Sequence, residues 1–203
     1  MIKIYGWRKS RAARCLWVLE ELGVPYQHVA LNHTLGETRT PEYLAINPSG
    51  KIPALDHDGF VLTETAAINF YLASVFPGTL LPSDAKGVAK LQQWTSWSLT
   101  DVEPWMVSIM REGRKPAEQV NQARIAAWRT DVLAMVGKIL EPHLARQPQM
   151  LPGTGFTLAD LNVASVLMPL PMLGVELADF PHIQAWLQRC LARDAWQRVQ
   201  SLP

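Results

Sequence analysis

The stretch NPSGKIPALDHDGFVLTET, residues 47–65, decides the fold class of this chain. Two short runs of strand-forming residues, 52–55 and 60–62, are joined by Asp56-His57-Asp58-Gly59, and these turn residues predict a β-hairpin. Because proline has no N–H for the ladder, Pro53 marks a strand start, an edge or a cis peptide bond. The pattern from about Thr65 to Val75 predicts a helix that follows the hairpin directly.

The residues before this hairpin alternate between strand and helix patterns. Residues 2–5 predict a strand, and Ser10 caps a predicted helix that ends at Gly23. Residues 27–31 predict a second strand, and Thr40-Pro41-Glu42 has the chemistry of a helix start. The resulting order βαβαββα predicts an α/β domain in which a mixed sheet packs between helices.

The pattern changes after residue 76. A segment containing proline, glycine and serine predicts a linker, and helical spacing then covers four long segments, 86–110, 117–146, 158–170 and 181–199. Pro104 is expected to kink the first of these helices, and Thr157 with Asp160 predicts a variant capping box. We therefore predict three parts: an α/β domain over 1–76, a linker over 77–85 and an all-α helical bundle over 86–203.

Composition excludes several classes of protein. The 203 residues are 48% hydrophobic and 18% charged, as in ordinary globular proteins, and the net charge of +1 lacks the basic excess expected of a nucleic-acid binder. The longest apolar run, 163–175, is too short to span a membrane and contains two prolines. The two cysteines and five histidines show no metal-binding spacing. We therefore expect a cytoplasmic protein without a metal.

The start of the first helix carries an unusual number of cations. Helix N-termini present unpaired N–H groups and a partial positive charge, which favours a bound anion and disfavours basic side chains. Ser10 would add a hydroxyl donor for such an anion. The alternative is that Ser10 is only an N-cap and that the cations are solvated or paired with acids. The cations are Arg8, Lys9, Arg11 and Arg14.

Two further features suggest that a small zwitterionic ligand binds near the hairpin. A cis Ile52-Pro53 bond would turn the Ile52 N–H and C=O outward to pair with an extended peptide; alternatively, Pro53 simply opens the hairpin. Thr65 at a helix start would hold a carboxylate and Glu64 an ammonium group; alternatively, Thr65 is an ordinary helix cap. Cys15, inside the first helix, is expected to be a buried small residue and not a nucleophile.

In order and spacing, these features resemble the cytosolic glutathione S-transferase family across essentially the whole chain, and in particular a bacterial-type, serine-dependent member similar to the theta and beta classes. The features are the first strand, Ser10 at a helix start, the segment LEELGVPY at 19–26, the segment at 47–55, Glu64-Thr65, the linker and the helical region with Thr157 and Asp160. The resemblance implies a thioredoxin-like first domain, a helical second domain that contributes the pocket for an electrophile, and a homodimer.

The resemblance also implies roles for individual residues in binding glutathione. Ile52, before a cis Pro53, would pair with the cysteinyl backbone of the tripeptide. Glu64 and Thr65 would hold the γ-glutamyl end. Lys51 and Arg39 would meet the glycyl carboxylate.

The implied chemistry is activation of the glutathione thiol. Ser10 would donate a hydrogen bond to the sulfur, Arg11 would assist electrostatically, and the thiolate would attack a small hydrophobic electrophile. Two alternatives remain open: glutathione-dependent reduction of peroxides or disulfides, and a non-catalytic glutathione-binding or scaffold protein. The partners expected are glutathione, an electrophile and a second copy of the chain, with neither nucleic acid nor membrane.

Overall fold

The computed structural model describes residues 1–203, which divide into two compact units. The first unit comprises Met1–Leu81 together with Ala192–Pro203, and the second comprises Pro82–Leu191.

The first unit has the βαβαββα order and thioredoxin-like fold expected from the sequence. A four-stranded sheet has the order β2-β1-β3-β4, with β1 parallel to β2 and β3 antiparallel to both of its neighbours. The elements are β1 (Ile2–Tyr5), α1 (Ala12–Leu22), β2 (Tyr26–Val29), α2 (Pro41–Ile46), β3 (Ala54–His57), β4 (Phe60–Thr63) and α3 (Thr65–Val75).

Two strands differ from the predicted bounds for physical reasons. The predicted strand 27–31 is β2, which pairs with β1 only as far as Tyr5 opposite Val29, so no ladder partner remains beyond that point. The predicted strand 52–55 starts two residues later, at Ala54, because Pro53 has no N–H to donate to the ladder.

Helix α1 forms the centre of this unit. Eight consecutive residues of it, from Ala12 to Leu19, are buried, and Gly23 ends it in the left-handed conformation that glycine adopts without steric cost. Most of the helix is therefore enclosed by protein, and only its last turn reaches the surface.

The predicted helical domain 86–203 differs from the observed grouping at its C-terminal end. The predicted helix 181–199 is two helices, α8 (Pro181–Leu191) and α9 (Asp194–Ser201), and α9 belongs to the first unit. It packs on α1, where the rings of Trp17 and Trp196 lie 4.8 Å apart. The Arg193 guanidinium also donates two hydrogen bonds to the Glu21 carboxylate, at 2.6 and 2.8 Å.

The second unit is all-helical, as predicted, but its helices are more divided than the sequence indicated. The predicted kink near Pro104 is a π-helical segment, Ser98–Val102, which places Pro104 in the first turn of the next helix, where its missing N–H is tolerated. Residues 117–119 form a separate 3-10 turn. The helices are α4 (Ala85–Trp97), α5 (Glu103–Gly113), α6 (Gln122–Arg146), α7 (Leu158–Leu167) and α8.

The predicted capping box at the start of α7 is confirmed and extends further than predicted. The buried Asp160 carboxylate accepts from the N–H and the hydroxyl of Thr157, both at 3.0 Å. Its other oxygen accepts from the Met150 N–H and the Trp186 indole N–H, both at 2.9 Å. The Asp160 carboxylate therefore links the start of α7 by hydrogen bonds to the turn at Met150 and to Trp186 of α8.

No helix of the chain has both the length and the apolar character needed to cross a lipid bilayer.

Candidate functional site

The strand register gathers the predicted site residues at one end of the sheet. Tyr5, the last residue of β1, pairs with Ala54, the first of β3, and Ala54 pairs with Thr63, the last of β4. The segments that continue from these positions therefore emerge at the same edge of the sheet. They are the loop from Gly6 to Arg11, the cis-proline segment ending at Pro53, and Glu64 with the start of α3.

At Gly6, the end of β1 meets the start of α1 and the cis-proline segment. Its φ of +138° lies in a region that other residues rarely adopt. A Cβ on Gly6 would lie 2.6 Å from the Ala12 Cβ and 3.1 Å from the Ile52 Cβ. Only glycine therefore fits at this position, where the end of β1 lies against both the start of α1 and Ile52.

Ser10 closes a tight turn directly before α1. Its N–H donates to the Trp7 carbonyl at 3.0 Å, its hydroxyl donates to the same carbonyl at 2.5 Å, and its Oγ accepts from the Ala12 N–H at 3.1 Å. Ser10 therefore accepts from one N–H of the first turn of α1, although the N-cap residue itself is Arg11, which has no side-chain cap. The hydroxyl is partly buried. Arg11, the next residue, is exposed.

The peptide bond between Ile52 and Pro53 is cis. The preceding loop is well braced, since the Lys51 carbonyl accepts from the Tyr43 hydroxyl at 2.5 Å and from the Asn47 amide at 2.7 Å. In contrast, neither the N–H nor the C=O of Ile52 bonds to another group of the chain. A donor and an acceptor are therefore free on one residue beside the Ser10 turn.

Glu64 has an unusual backbone conformation at the start of α3. Its φ is +69° and its ψ is 120°, which costs a non-glycine residue about 1–3 kcal/mol. The Glu64 carbonyl accepts from the Ile68 N–H at 2.9 Å, and no side chain caps the helix. The alternative of an ordinary Thr65 cap is therefore wrong. Glu64 keeps an exposed carboxylate, and Thr65 is a buried residue of the first turn.

Two cations lie beside the braced loop. The Arg39 guanidinium donates to the Ser49 carbonyl at 3.4 Å, and it fills the space where a Cβ of Gly50 would lie. Lys51 follows Gly50 and is exposed, and neither cation forms an ion pair with a carboxylate. Both charges are therefore available to a ligand that lies along the segment before Pro53.

His28 is a residue of this region that the sequence analysis missed. Its Nε2 lies 2.7 Å from the Gly6 carbonyl oxygen, which can only accept, so Nε2 carries the proton. The contact holds the peptide that begins the Ser10 loop. The sequence carries no signal for this contact, because the contact joins a side chain of β2 to the backbone just after β1.

Cys15 is not a catalytic thiol. It is fully buried, its Sγ lies 4.0 Å from the Thr65 carbonyl oxygen, and burial raises the pKa of the thiol far above its usual range. Since the thiolate is the reactive form, Cys15 is inert in the folded chain.

If the chain uses glutathione, as the family resemblance implies, we expect the glutathione-dependent turnover of Cys15→Ala to stay within about threefold of the parent's, because the Cys15 thiol takes no part in chemistry. Neither cysteine of the folded parent should react with an aromatic disulfide reagent, because Cys190 is buried as well as Cys15. Stoichiometric labelling before and after unfolding measures this. Rapid labelling of Cys15 in the folded chain, with loss of activity, contradicts the assignment.

Two family profiles match this sequence. The profile described as "Glutathione S-transferase, N-terminal domain" matches residues 1–74. The profile described as "Glutathione S-transferase, C-terminal domain" matches residues 114–194.

Named relatives and a solved structure match the chain over nearly its full length. Glutathione S-transferase 3 of Zea mays is 35% identical over 215 residues, which cover 100% of this chain and 95% of that protein. Glutathione S-transferase GstB of Escherichia coli K12 is 28% identical over 208 residues, which cover 100% of this chain and 99% of that protein. The crystal structure of a glutathione transferase homologue from Sulfitobacter, with bound glutathione, superposes with a TM-score of 0.83 at 28% identity, covering 99% and 97%.

Proposed function

Because this chain belongs to the cytosolic glutathione S-transferase family and is a transferase enzyme, we propose that it binds glutathione beside Ser10 and uses the thiol as a nucleophile. The observation that carries this proposal is the free backbone N–H and C=O of Ile52, next to the Ser10 turn at the end of the sheet. Two free groups on one residue suit the backbone of a short peptide. The Sulfitobacter homologue supports the choice of glutathione, since its crystal structure contains it.

Charge complementarity orients the tripeptide in this proposal. Ile52 pairs with the cysteinyl residue, which directs its sulfur toward Ser10. Glu64 and Thr65 take the γ-glutamyl end, because an exposed carboxylate meets the ammonium group while the first turn of α3 meets the carboxylate. Lys51 and Arg39 take the glycyl carboxylate, because neither forms an ion pair with a carboxylate of the chain.

The role of the site is to stabilise the thiolate. A free thiol with a pKa of about 8.5 is only about 3% ionised at pH 7, and lowering that pKa by two units requires about 2.7 kcal/mol of differential stabilisation. The Ser10 hydroxyl, the start of α1 and the positive charge of Arg11 supply it together. The thiolate then attacks a small hydrophobic electrophile and forms a thioether.

A panel of acceptors tests this function. A chloronitrobenzene reports conjugation by release of chloride, whereas a hydroperoxide and a mixed disulfide report reduction by formation of glutathione disulfide. We expect turnover with the chloronitrobenzene to exceed the rate without enzyme. Turnover confined to the hydroperoxide or the disulfide would overturn conjugation, and tight glutathione binding without turnover on any acceptor would overturn the whole catalytic assignment.

We expect Glu64→Gln to weaken glutathione binding at least tenfold, because a charge-assisted hydrogen bond to the ammonium group is worth about 1.5–3 kcal/mol. Glutamine has nearly the same size as glutamate, so the variant removes the charge and leaves the backbone conformation at residue 64 unchanged. Titration calorimetry measures the dissociation constant. Glu42→Gln, at the exposed start of α2, is the matched control and should bind as the parent does. Equal affinities in all three proteins would remove Glu64 from the site.

A homodimer and a cytoplasmic location are part of the same proposal. The family resemblance supports the homodimer, and the outer strand β4 leaves the apolar side chains Phe60 and Val61 exposed at 50% and 42%.

A further inference from the structure

We propose that Arg8 binds an anionic group on the electrophile, so that the preferred second substrates carry a carboxylate in addition to the reacting carbon. This inference rests on the proposed function, since it names the substrate class for the same site. Three features of Arg8 support it: its guanidinium has no hydrogen-bond partner, it lies in the turn before Ser10, and no acid lies near it in the sequence.

Arg8 is a partly buried cation without a partner. Its Nε is buried and has no hydrogen-bond acceptor, and no other atom of the guanidinium forms a hydrogen bond or an ion pair. Burying a donor without an acceptor costs free energy, and the cost is larger for a charged group. A bound anion would supply the missing acceptor and the opposite charge together.

The position of Arg8 couples it to the reacting sulfur. Residues 7–10 form a tight turn, closed by the Ser10 N–H donating to the Trp7 carbonyl at 3.0 Å. Arg8 and Lys9 occupy the two central positions of this turn. A turn of this kind brings its first and last Cα atoms within about 7 Å. Arg8 therefore starts only a few ångströms from the hydroxyl that faces the sulfur, within reach of a substituent on the electrophile.

The stretch of chain around Arg8 supplies no acid that pairs with it. No acid occurs between Trp7 and Leu19. The next two acids are already paired, Glu20 with Arg198 and Glu21 with Arg193, each with an N to O distance of 2.6 Å. Lys9 is exposed, and its Nζ lies 5.5 Å from the centre of the Trp7 ring. The turn carries two cations, Arg8 and Lys9, so an anionic electrophile would bring a negative charge in addition to that of the thiolate.

The chemical step is an aromatic substitution with 4-chloro-3-nitrobenzoate as the probe. The thiolate sulfur attacks the carbon that bears chlorine, and the nitro group accepts the electron pair in the addition intermediate. The pair then returns to the ring, the carbon–chlorine bond breaks and chloride leaves with its electrons. The carboxylate lies across the ring from the reacting carbon, so it can contact Arg8 while the sulfur attacks.

The test compares this probe with its neutral analogue, 4-chloro-3-nitrobenzamide. We expect Arg8→Gln to lower kcat/KM for the benzoate at least tenfold, while kcat/KM for the benzamide and the KM for glutathione stay within about twofold. Arg8→Lys should recover part of the loss, and Lys9→Gln, at the neighbouring turn position, is the matched control. An equal loss with both probes, or no loss with either, would overturn the inference.

A binding measurement separates this inference from the proposed function. The unreactive 3-nitrobenzoate is titrated into the parent and into Arg8→Gln, both saturated with S-methylglutathione, with 3-nitrobenzamide as the neutral reference. The role of Arg8 is supported if Arg8→Gln binds 3-nitrobenzoate more weakly than the parent does and both proteins bind 3-nitrobenzamide equally. If that result comes with no conjugation in the parent, the Arg8 inference stands and only the proposed function fails. Equal binding to both proteins, alongside normal conjugation, means that the Arg8 inference fails alone.

Discussion

Ser10→Ala should lower kcat with glutathione by about 10²-fold and should return the pKa of the bound thiol toward its ordinary value of about 8.5. The physical reason is that the hydroxyl is the side-chain donor proposed to face the sulfur, and removing one donor to a developing or full anion costs about 10²–10³-fold in rate. The thiol pKa is measured by ultraviolet absorbance of the thiolate across a pH series, alongside steady-state rates.

Two control variants separate activation of the thiol from capping of the helix. Ser10 also accepts from the Ala12 N–H, so the alanine variant loses about 1 kcal/mol of cap stability. Thr40→Ala removes the corresponding cap of α2, where Thr40 accepts from the Tyr43 N–H at 3.3 Å, and should lose similar stability with turnover unchanged. Ser10→Thr keeps a hydroxyl and should retain most of the activity. If Ser10→Ala keeps both its rate and its thiol pKa, the donor is Arg11 or a backbone amide.

The second large effect concerns stability. Asp160→Ala should lower the free energy of unfolding by about 3–5 kcal/mol, because it leaves buried donors without their acceptor. Four donors lose their partner: the Thr157 N–H, the Thr157 hydroxyl, the Met150 N–H and the Trp186 indole N–H. Urea unfolding followed by tryptophan fluorescence measures the change, since Trp186 is itself one of the four.

Comparison with a surface acid shows whether burial causes this loss. Asp131→Ala removes an exposed carboxylate from α6 in the same unit and should change stability by less than about 0.5 kcal/mol. Asp160→Asn keeps one oxygen acceptor and should fall between the two alanine variants. If Asp160→Ala unfolds at the same urea concentration as Asp131→Ala, the network contributes nothing to stability.

Local patterns predicted most of the fold, because they depend on neighbours in sequence. The helix predicted for residues 65–75 is α3 (Thr65–Val75), and the strand predicted for residues 2–5 is β1 (Ile2–Tyr5). Turn residues located the hairpin, and Gly23 ends α1 as expected. The cis bond before Pro53, which the family resemblance implied, is present as well.

Non-local contacts account for the errors. The predicted single helix 181–199 is divided, and its second part joins a unit whose other residues lie more than a hundred positions earlier. The pairing of Arg193 with Glu21 spans 172 residues, and helical periodicity carries no information about such a contact. The alternative of a Thr65 cap is wrong because Glu64, with a positive φ, occupies the N-cap position, and local patterns do not predict that conformation.

By itself, the sequence determined the order of elements, the family resemblance and the chemical types of the candidate site, because propensity, periodicity and turn chemistry act over a few residues. Tertiary structure alone decided which groups are free and which are used. The sheet register brings Ile52 and Glu64 to the end of β1. Arg193 and Arg198 pair with Glu21 and Glu20, the next acids along the chain after Arg8, and the Arg8 Nε is left without an acceptor. Hydrogen-bond satisfaction and charge pairing depend on distances across the folded chain, so only the packed structure assigns them.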